Sequence, residues 1–118
     1  MLREHQKISQ REGEGRRRWF LDDYFDLIVW YEPGDEEQVV GFQLCYSKNR
    51  NEHALTWKRR GGFTHSGVDD GDFGRRTPIL VPDGIIPIEN LIRRFSSACG
   101  IIDPVIAQLV LERLYELT

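Results

Sequence analysis

The chain has 118 residues, of which 40% are hydrophobic and 30% are charged, and its formal net charge is −3. A chain of this length can bury one core without a metal or a disulfide. The acidic balance argues against a dedicated nucleic-acid-binding protein. No apolar run approaches the roughly 20 residues that span a bilayer, and residues 1–7 lack the apolar core of a secretory signal. We therefore expect a cytoplasmic protein that binds neither a membrane nor nucleic acid and uses no cofactor.

The N-terminal segment is polar. Within residues 1–15 only Met1, Leu2 and Ile8 have sizeable apolar side chains. Such a segment does not bury enough surface by itself to offset the entropy lost on ordering. We predict a polar tail over residues 1–15, or a short helix ordered by a neighbour, followed by a single α+β domain over residues 16–118.

Three runs rich in β-branched and aromatic residues, at 25–31, 39–46 and 53–57, predict β-strands. Shorter strands are expected at 19–21 and 63–68. Both faces of the 25–31 run are apolar, which favours a central strand or one covered on both sides. The run at 77–82 is framed by prolines, which cannot donate to a ladder, so it predicts an edge strand or an extended connector.

Two helices are predicted at the C-terminal end. The spacing of one helix face is followed by Ile88, Leu91, Ile92, Phe95 and Ala98. Asp103 followed by Pro104 is typical of a helix start. Because the strands come first and the helices last, the pattern predicts an α+β fold: an antiparallel meander of four to six strands with both helices packed on one face. The expected core contains Leu27, Val29, Phe42, Leu44, Leu91, Phe95, Ile106 and Val110.

The most site-like stretch is 57–76, where basic, acidic, aromatic and glycine residues are interleaved. Guanidinium groups bind phosphate and carboxylate in a bidentate manner, and an aromatic neighbour can stack a ring. The alternative is a network of surface ion pairs, each worth little. The candidate binding surface for an anion or another ligand consists of Trp57, Arg59, Arg60, His65, Arg75 and Arg76.

The same stretch contains His65, Asp69, Asp70 and Asp72, which raises the possibility of a metal or acid/base site. Their spacing matches no calcium loop, zinc-protease helix or paired-cysteine frame. No nucleophile in a recognised motif accompanies the histidine. We therefore predict no metal site and no catalytic residue.

Four segments, at 26–31, 41–46, 54–57 and 77–84, resemble those of small bacterial proteins that carry no assigned function. The resemblance implies a bacterial cytoplasmic protein. It implies no activity, substrate or catalytic residue.

Three functional hypotheses follow, in this order: a non-catalytic binding or protein-interaction module, a binder of an anionic small molecule through the 57–76 loops, and a small acid/base or metal-assisted enzyme. The first is favoured by the apolar stripe of helix 103–117, which is wider than one packing surface needs. A two-fold symmetric partner commonly buries such a surplus, so a homodimer or a protein partner is expected. The stripe consists of Val105, Ile106, Leu109, Val110, Leu111, Leu114 and Leu117.

Overall fold

An antiparallel sheet in which each strand pairs with the next carries two C-terminal helices in the computed structural model. The structure describes residues 1–6, 10, 13–48, 52–67, 77–78 and 86–118. Within them the strands are β1 (Arg3–His5), β2 (Arg17–Leu21), β3 (Phe25–Glu32), β4 (Asp35–Tyr46), β5 (His53–Lys58), β6 (Gly62–Gly67) and β7 (Thr77–Pro78). The helices are α1 (Ile88–Ala98) and α2 (Pro104–Tyr115).

The predicted α+β fold is confirmed. Strands β1 to β6 form the meander, and β7 adds two residues beside β6. The proline-framed edge strand is present over Thr77–Pro78, whereas residues 79–82 lie outside the described residues. Strand β4 begins at Asp35, four residues before its apolar run, because the turn at Pro33–Gly34 joins β3 directly to β4.

The core lies between one face of the sheet and both helices. All eight residues of the predicted core are buried there. Phe25 of β3 meets Phe95 of α1 edge to face, with ring centroids 5.9 Å apart. Helix α2 begins as predicted: the Asp103 carboxylate accepts a hydrogen bond of 2.9 Å from the backbone N–H of Val105, and Pro104 occupies the first helical position. This arrangement satisfies one of the donors that every helix start leaves unpaired.

The interpretation of residues 1–15 as a tail is wrong for residues 2–5. Arg3–His5 pair with β2 as strand β1, and the Leu2 side chain is fully buried in the core. The Leu2 backbone N–H also donates to the carbonyl of Ala98 at the end of α1, at 2.8 Å. The polar composition suggested a tail, but one buried leucine and a row of backbone hydrogen bonds are enough to order residues 2–5. They suffice because the edge of β2 and the end of α1 are already in place.

Arg18 ties this N-terminal strand to the helices. Its guanidinium donates to both carboxylate oxygens of Glu4, at 2.9 and 2.7 Å, and to the carboxylate of Asp103 at 3.0 Å. The hydrogen bond to Arg18 lowers the pKa of Glu4. The pKa of Asp103 is also lowered, first by Arg18 and then by the backbone of Val105. One arginine therefore links β1, β2 and the start of α2.

Strand alternation divides the sheet into two faces with different roles. The helix face carries the core side chains of every strand from β2 to β5. We call the opposite one the distal face; side chains there alternate with the core positions and are mostly polar or partly exposed. The distal face includes Trp19, Ile28, Trp30, Gln43, Thr56, Lys58 and Thr64.

Candidate functional site

A row of three residues crosses the distal face near one end of the sheet. Trp30 of β3 pairs with Gly41 of β4, and Gly41 pairs with Lys58 of β5. A side chain at Gly41 would approach the Trp57 carbonyl oxygen to 2.7 Å and the Trp30 ring to 3.3 Å. The glycine therefore allows the Trp30 ring and the Lys58 stem to pack closely over the β4 backbone. The Lys58 ammonium stands 5.9 Å from the centroid of the Trp30 ring.

Trp30 and Lys58 line a surface groove of about 780 Å³. The size falls within the range of about 300–1,000 Å³ that is typical of small-molecule sites. Two register shifts where β3 and β4 approach their turn give β4 extra residues beside the groove. Such bulges re-aim side chains and often accompany binding sites. The lining residues are Trp30, Glu32, Asp35, Gln38, Val40, Lys58, Arg59 and Arg60.

The charges of the groove are separated along the sheet. Lys58 and Arg60 are exposed at the β5–β6 turn, and within the described ranges neither has a carboxylate in ion-pair distance. Glu32 and Asp35 lie opposite one another at the β3–β4 turn. One end of the groove therefore offers cationic donors and the other offers acceptors, with the indole of Trp30 on the same strand as Glu32.

Arg59 has a different role from Arg60. Its Nε and one terminal nitrogen both donate to the backbone carbonyl of Val39, at 3.1 and 2.9 Å. Its backbone N–H continues the ladder by donating to the carbonyl of Val40 at 2.9 Å. The guanidinium is thereby fixed at the side of the groove, where it adds positive charge with little freedom to reorient.

Trp57 lies on the helix face, away from the groove. Only 7% of its surface is exposed, and it packs beside Phe42 with ring centroids 5.7 Å apart. The guanidinium groups of Arg59 and Arg113 lie over its ring, at 5.9 and 5.4 Å from the centroid. The indole is thus enclosed by the protein's own side chains, and the structure supplies Trp30 as the accessible ring.

His65 also belongs to the helix face and is absent from the groove lining. It is 6% exposed, and its Nε2 is joined to the hydroxyl of Tyr46 by a buried hydrogen bond of 2.6 Å. The ring of His53 stacks on that of His65 with centroids 5.1 Å apart. Burial, followed by the nearby Tyr24, raises the pKa of Tyr46 and keeps its hydroxyl protonated. None of Tyr46, His53 and His65 lines the groove to which Arg59 and Arg60 belong.

The remaining candidates fall on the segment 68–76. Arg75 and Arg76, together with Asp69, Asp70 and Asp72, lie outside the described residues. Within the part of the chain that is described, no group of three histidine, cysteine, aspartate or glutamate side chains is arranged to hold a metal ion. Of the four predicted site residues that the structure describes, two, Arg59 and Arg60, line one groove.

Comparison with models of protein families, with curated proteins and with solved structures finds no match for this chain. The resemblance to small bacterial proteins therefore stays a hypothesis. Separately, none of the helices in the described ranges is both long and apolar enough to cross a membrane.

Sequence reasoning missed Trp30, Gly41 and Lys58, although a usable signal was present. Leu55 and Trp57 are two residues apart on one strand and must share a face, so Lys58 must lie on the other. By the same alternation, Trp30 lies on the face of β3 that is opposite to the face of the core residues Val29 and Tyr31. The pairing of Trp30 with Gly41 depends on the register of β3 with β4, which the sequence pattern does not reveal.

Proposed function

We propose that the protein is a non-catalytic binding module whose groove takes a small anion that carries a planar ring. The pair Trp30 and Lys58 carries the proposal, since it places a partly exposed indole beside an exposed ammonium group in a groove of about 780 Å³. The ring of the ligand would lie against Trp30. Its anionic group would reach Lys58 and Arg60.

The physical basis is the combination of stacking with charge. Offset aromatic pairs contribute about 0.5–1.5 kcal/mol beyond the area they bury. Charge-assisted hydrogen bonds to an anion are roughly twice as strong as neutral ones. The lysine stem is flexible, so its ammonium can leave the indole and follow the anion while a ligand ring takes its place. These contributions support weak but selective recognition of a small ligand.

The test is a calorimetric titration with phenyl phosphate, inorganic phosphate and benzyl alcohol, which separate ring and charge. Phenyl phosphate should bind at least about tenfold more tightly than either of the others. Trp30→Leu and Lys58→Met should each weaken it by about tenfold, since each removes one of the two contributions.

Arg93→Met is the charge-matched control. Arg93 is exposed on α1 and bonds to Asn90, away from the groove, so its loss should leave the affinity unchanged. Equal affinities for phenyl phosphate in the unmutated protein, Trp30→Leu and Lys58→Met would contradict the proposal. So would the same loss of affinity in Arg93→Met, because binding would then reflect total charge alone.

A homodimer in the cytoplasm is a second proposal, supported by exposed apolar residues at the start of α2. Much of the predicted stripe is used internally, because Leu109 and Leu111 pack against the core. Val105 is 71% exposed and Ile101 is 58% exposed, so this end of the helix is the better contact. Val105→Glu should dissociate the dimer without unfolding the protein. Light scattering that shows a monomer for the unmutated chain at high concentration would contradict the dimer.

A further inference from the structure

We propose that the ligand of the groove is a guanine mononucleotide. The inference rests on the proposed function and adds the acceptor end of the groove to it. Glu32 and Asp35 face each other across the β3–β4 turn, at the opposite end from Lys58 and Arg60. A ligand that fills the groove must therefore present hydrogen-bond donors at one end, a planar ring in the middle and an anion at the other end.

The two carboxylates are cross-strand partners of like charge. Such pairs destabilise a sheet when they lie directly opposite one another. Asp35 uses one oxygen to accept from the backbone N–H of Glu37 at 3.0 Å, and Glu32 has no hydrogen-bond or ion-pair partner in the described portion of the chain. A donor-bearing ligand would relieve this repulsion and use the acceptors that the protein leaves open.

Strand geometry places Glu32 and Trp30 so that one ligand can reach both, with its hydrogen-bond donors at Glu32 and its ring on Trp30. Trp30 and Glu32 are two residues apart on β3 and share the distal face, which separates their Cα atoms by about 6.6 Å. A base stacked on the indole can therefore extend its edge toward the Glu32 carboxylate. Lys58 lies two strands away from Trp30, roughly 9.6 Å between Cα atoms, on the side where a sugar and phosphate would continue.

Among the common bases, guanine fits the acceptor end best. An ionised carboxylate offers only acceptors, on two oxygens. Guanine presents two adjacent donors, N1–H and the N2 amino group, which match those oxygens. Adenine places an acceptor, N1, beside its amino group, and uracil has a single donor between two carbonyls. A site built on such acceptors rejects analogues that leave them unpaired.

The charge at the other end fits a monophosphate. Lys58 and Arg60 are the two groove cations without a carboxylate or carbonyl partner within the described segments, whereas Arg59 is held by the Val39 carbonyl. Two positive charges match the charge of about −2 that a phosphate monoester carries near neutral pH. The longer phosphate chain of a triphosphate would bring negative charge beyond what this pair neutralises.

The experiment is a calorimetric titration of the full chain with GMP, AMP, guanosine and ribose 5-phosphate. GMP should bind at least about tenfold more tightly than each of the other three, because each lacks the donor edge, the phosphate or the base. Glu32→Gln should abolish the preference for GMP over AMP while leaving phenyl phosphate binding intact. Glu36→Gln, at an exposed position of the same hairpin that does not line the groove, should preserve the preference.

The outcomes separate the two proposals. If phenyl phosphate binds through Trp30 and Lys58 but GMP and AMP bind equally or not at all, the inference is overturned and the proposed function stands. If phenyl phosphate binding is also insensitive to Trp30→Leu and Lys58→Met, both are overturned. A guanine-rich oligonucleotide that binds when GMP does not would likewise overturn the mononucleotide. A preference for GMP over AMP that persists in Glu32→Gln would overturn the assignment of the guanine N1–H and N2 donors to the Glu32 carboxylate.

Discussion

The two faces of the sheet are made by the same strands, yet they differ in what their tryptophans can do. On the helix face, Trp57 is enclosed by Phe42, Arg59 and Arg113. On the distal face, Trp30 is partly exposed beside Gly41, at the base of the groove. The first indole fills a core, where side-chain volume governs stability. The second offers a surface to a ligand.

Exposure and local charge, and not residue type, distinguish the tryptophan of the groove from the tryptophan of the core. Both tryptophans have a cationic side chain over the ring. At Trp57 the cations complete the packing of a buried residue. At Trp30 the lysine is exposed and has no carboxylate partner in the described part of the chain, so a ligand can replace the same type of contact. Substitutions on the two faces should therefore separate stability from binding.

The largest expected effect comes from the helix face. Phe42→Ala removes a fully buried ring and should lower the free energy of unfolding by about 3–5 kcal/mol. Gln43→Ala, the next residue along β4, projects from the distal face and should cost less than about 1 kcal/mol. Urea unfolding of the two variants measures the difference. Similar losses in both would show that the distal face is covered as closely as the helix face.

A second pair of variants compares the faces at the N-terminal strand. Leu2→Ala should cost about 2–4 kcal/mol because the side chain is fully buried and the site is braced by α1. Arg3→Ala, at an exposed position, should stay within about 0.5 kcal/mol of the unmutated protein. Thermal melting distinguishes them. A negligible effect of Leu2→Ala would restore the interpretation of this segment as a tail.

The helix face was predictable from the sequence because its residues repeat in phase. Leu27 and Val29 alternate on one strand, and Leu91 and Phe95 follow one side of a helix, so the core was identified before the fold. The distal face was not. Ile28 and Trp30 are as apolar as their neighbours, and the alternation does not reveal which of two apolar faces the helices will cover.

The site was predictable only in part, for a related reason. Arg59 and Arg60 were identified from their charge, and both line the groove. Trp57 was grouped with them because it is close in sequence; it does contact Arg59, but its ring lies on the helix face and does not line the groove. The carboxylates of Glu32 and Asp35 come from a different hairpin, so only the register of β3 with β4 and of β4 with β5 brings them to the same groove.

A smaller effect on stability is expected at Arg18, which lies on the helix face and bonds to Asp103 at the start of α2. Arg18→Met should cost about 2 kcal/mol near neutral pH, because it removes charge-assisted hydrogen bonds to Glu4 and Asp103. Both carboxyl pKa values are lowered in the folded protein. Their contribution is therefore present above the unfolded pKa values, about 4, and is lost as the pH falls through the folded ones.

Urea unfolding of the unmutated protein and Arg18→Met, at about pH 7 and about pH 3, measures this contribution. The difference in stability between the two proteins should shrink at the lower pH, because the contribution of Glu4 and Asp103 declines once the pH falls below their unfolded pKa values. Arg93→Met, which removes a charge from the exposed side of α1, should show no such convergence. A difference that is independent of pH would mean that Arg18 acts through packing on Phe20, whose ring lies 5.2 Å from the guanidinium.

The smallest effect on stability should come from the residue most important to the groove. Trp30→Leu should change the free energy of unfolding by less than about 1 kcal/mol, because the ring is partly exposed and the replacement keeps some apolar contact. Trp57→Leu should cost more, since that ring is 7% exposed and packs against Phe42. Urea unfolding of both variants tests the ranking. If Trp30→Leu were the more costly change, its indole would be a structural part of the sheet, and the groove would lose the accessible ring on which ligand binding depends.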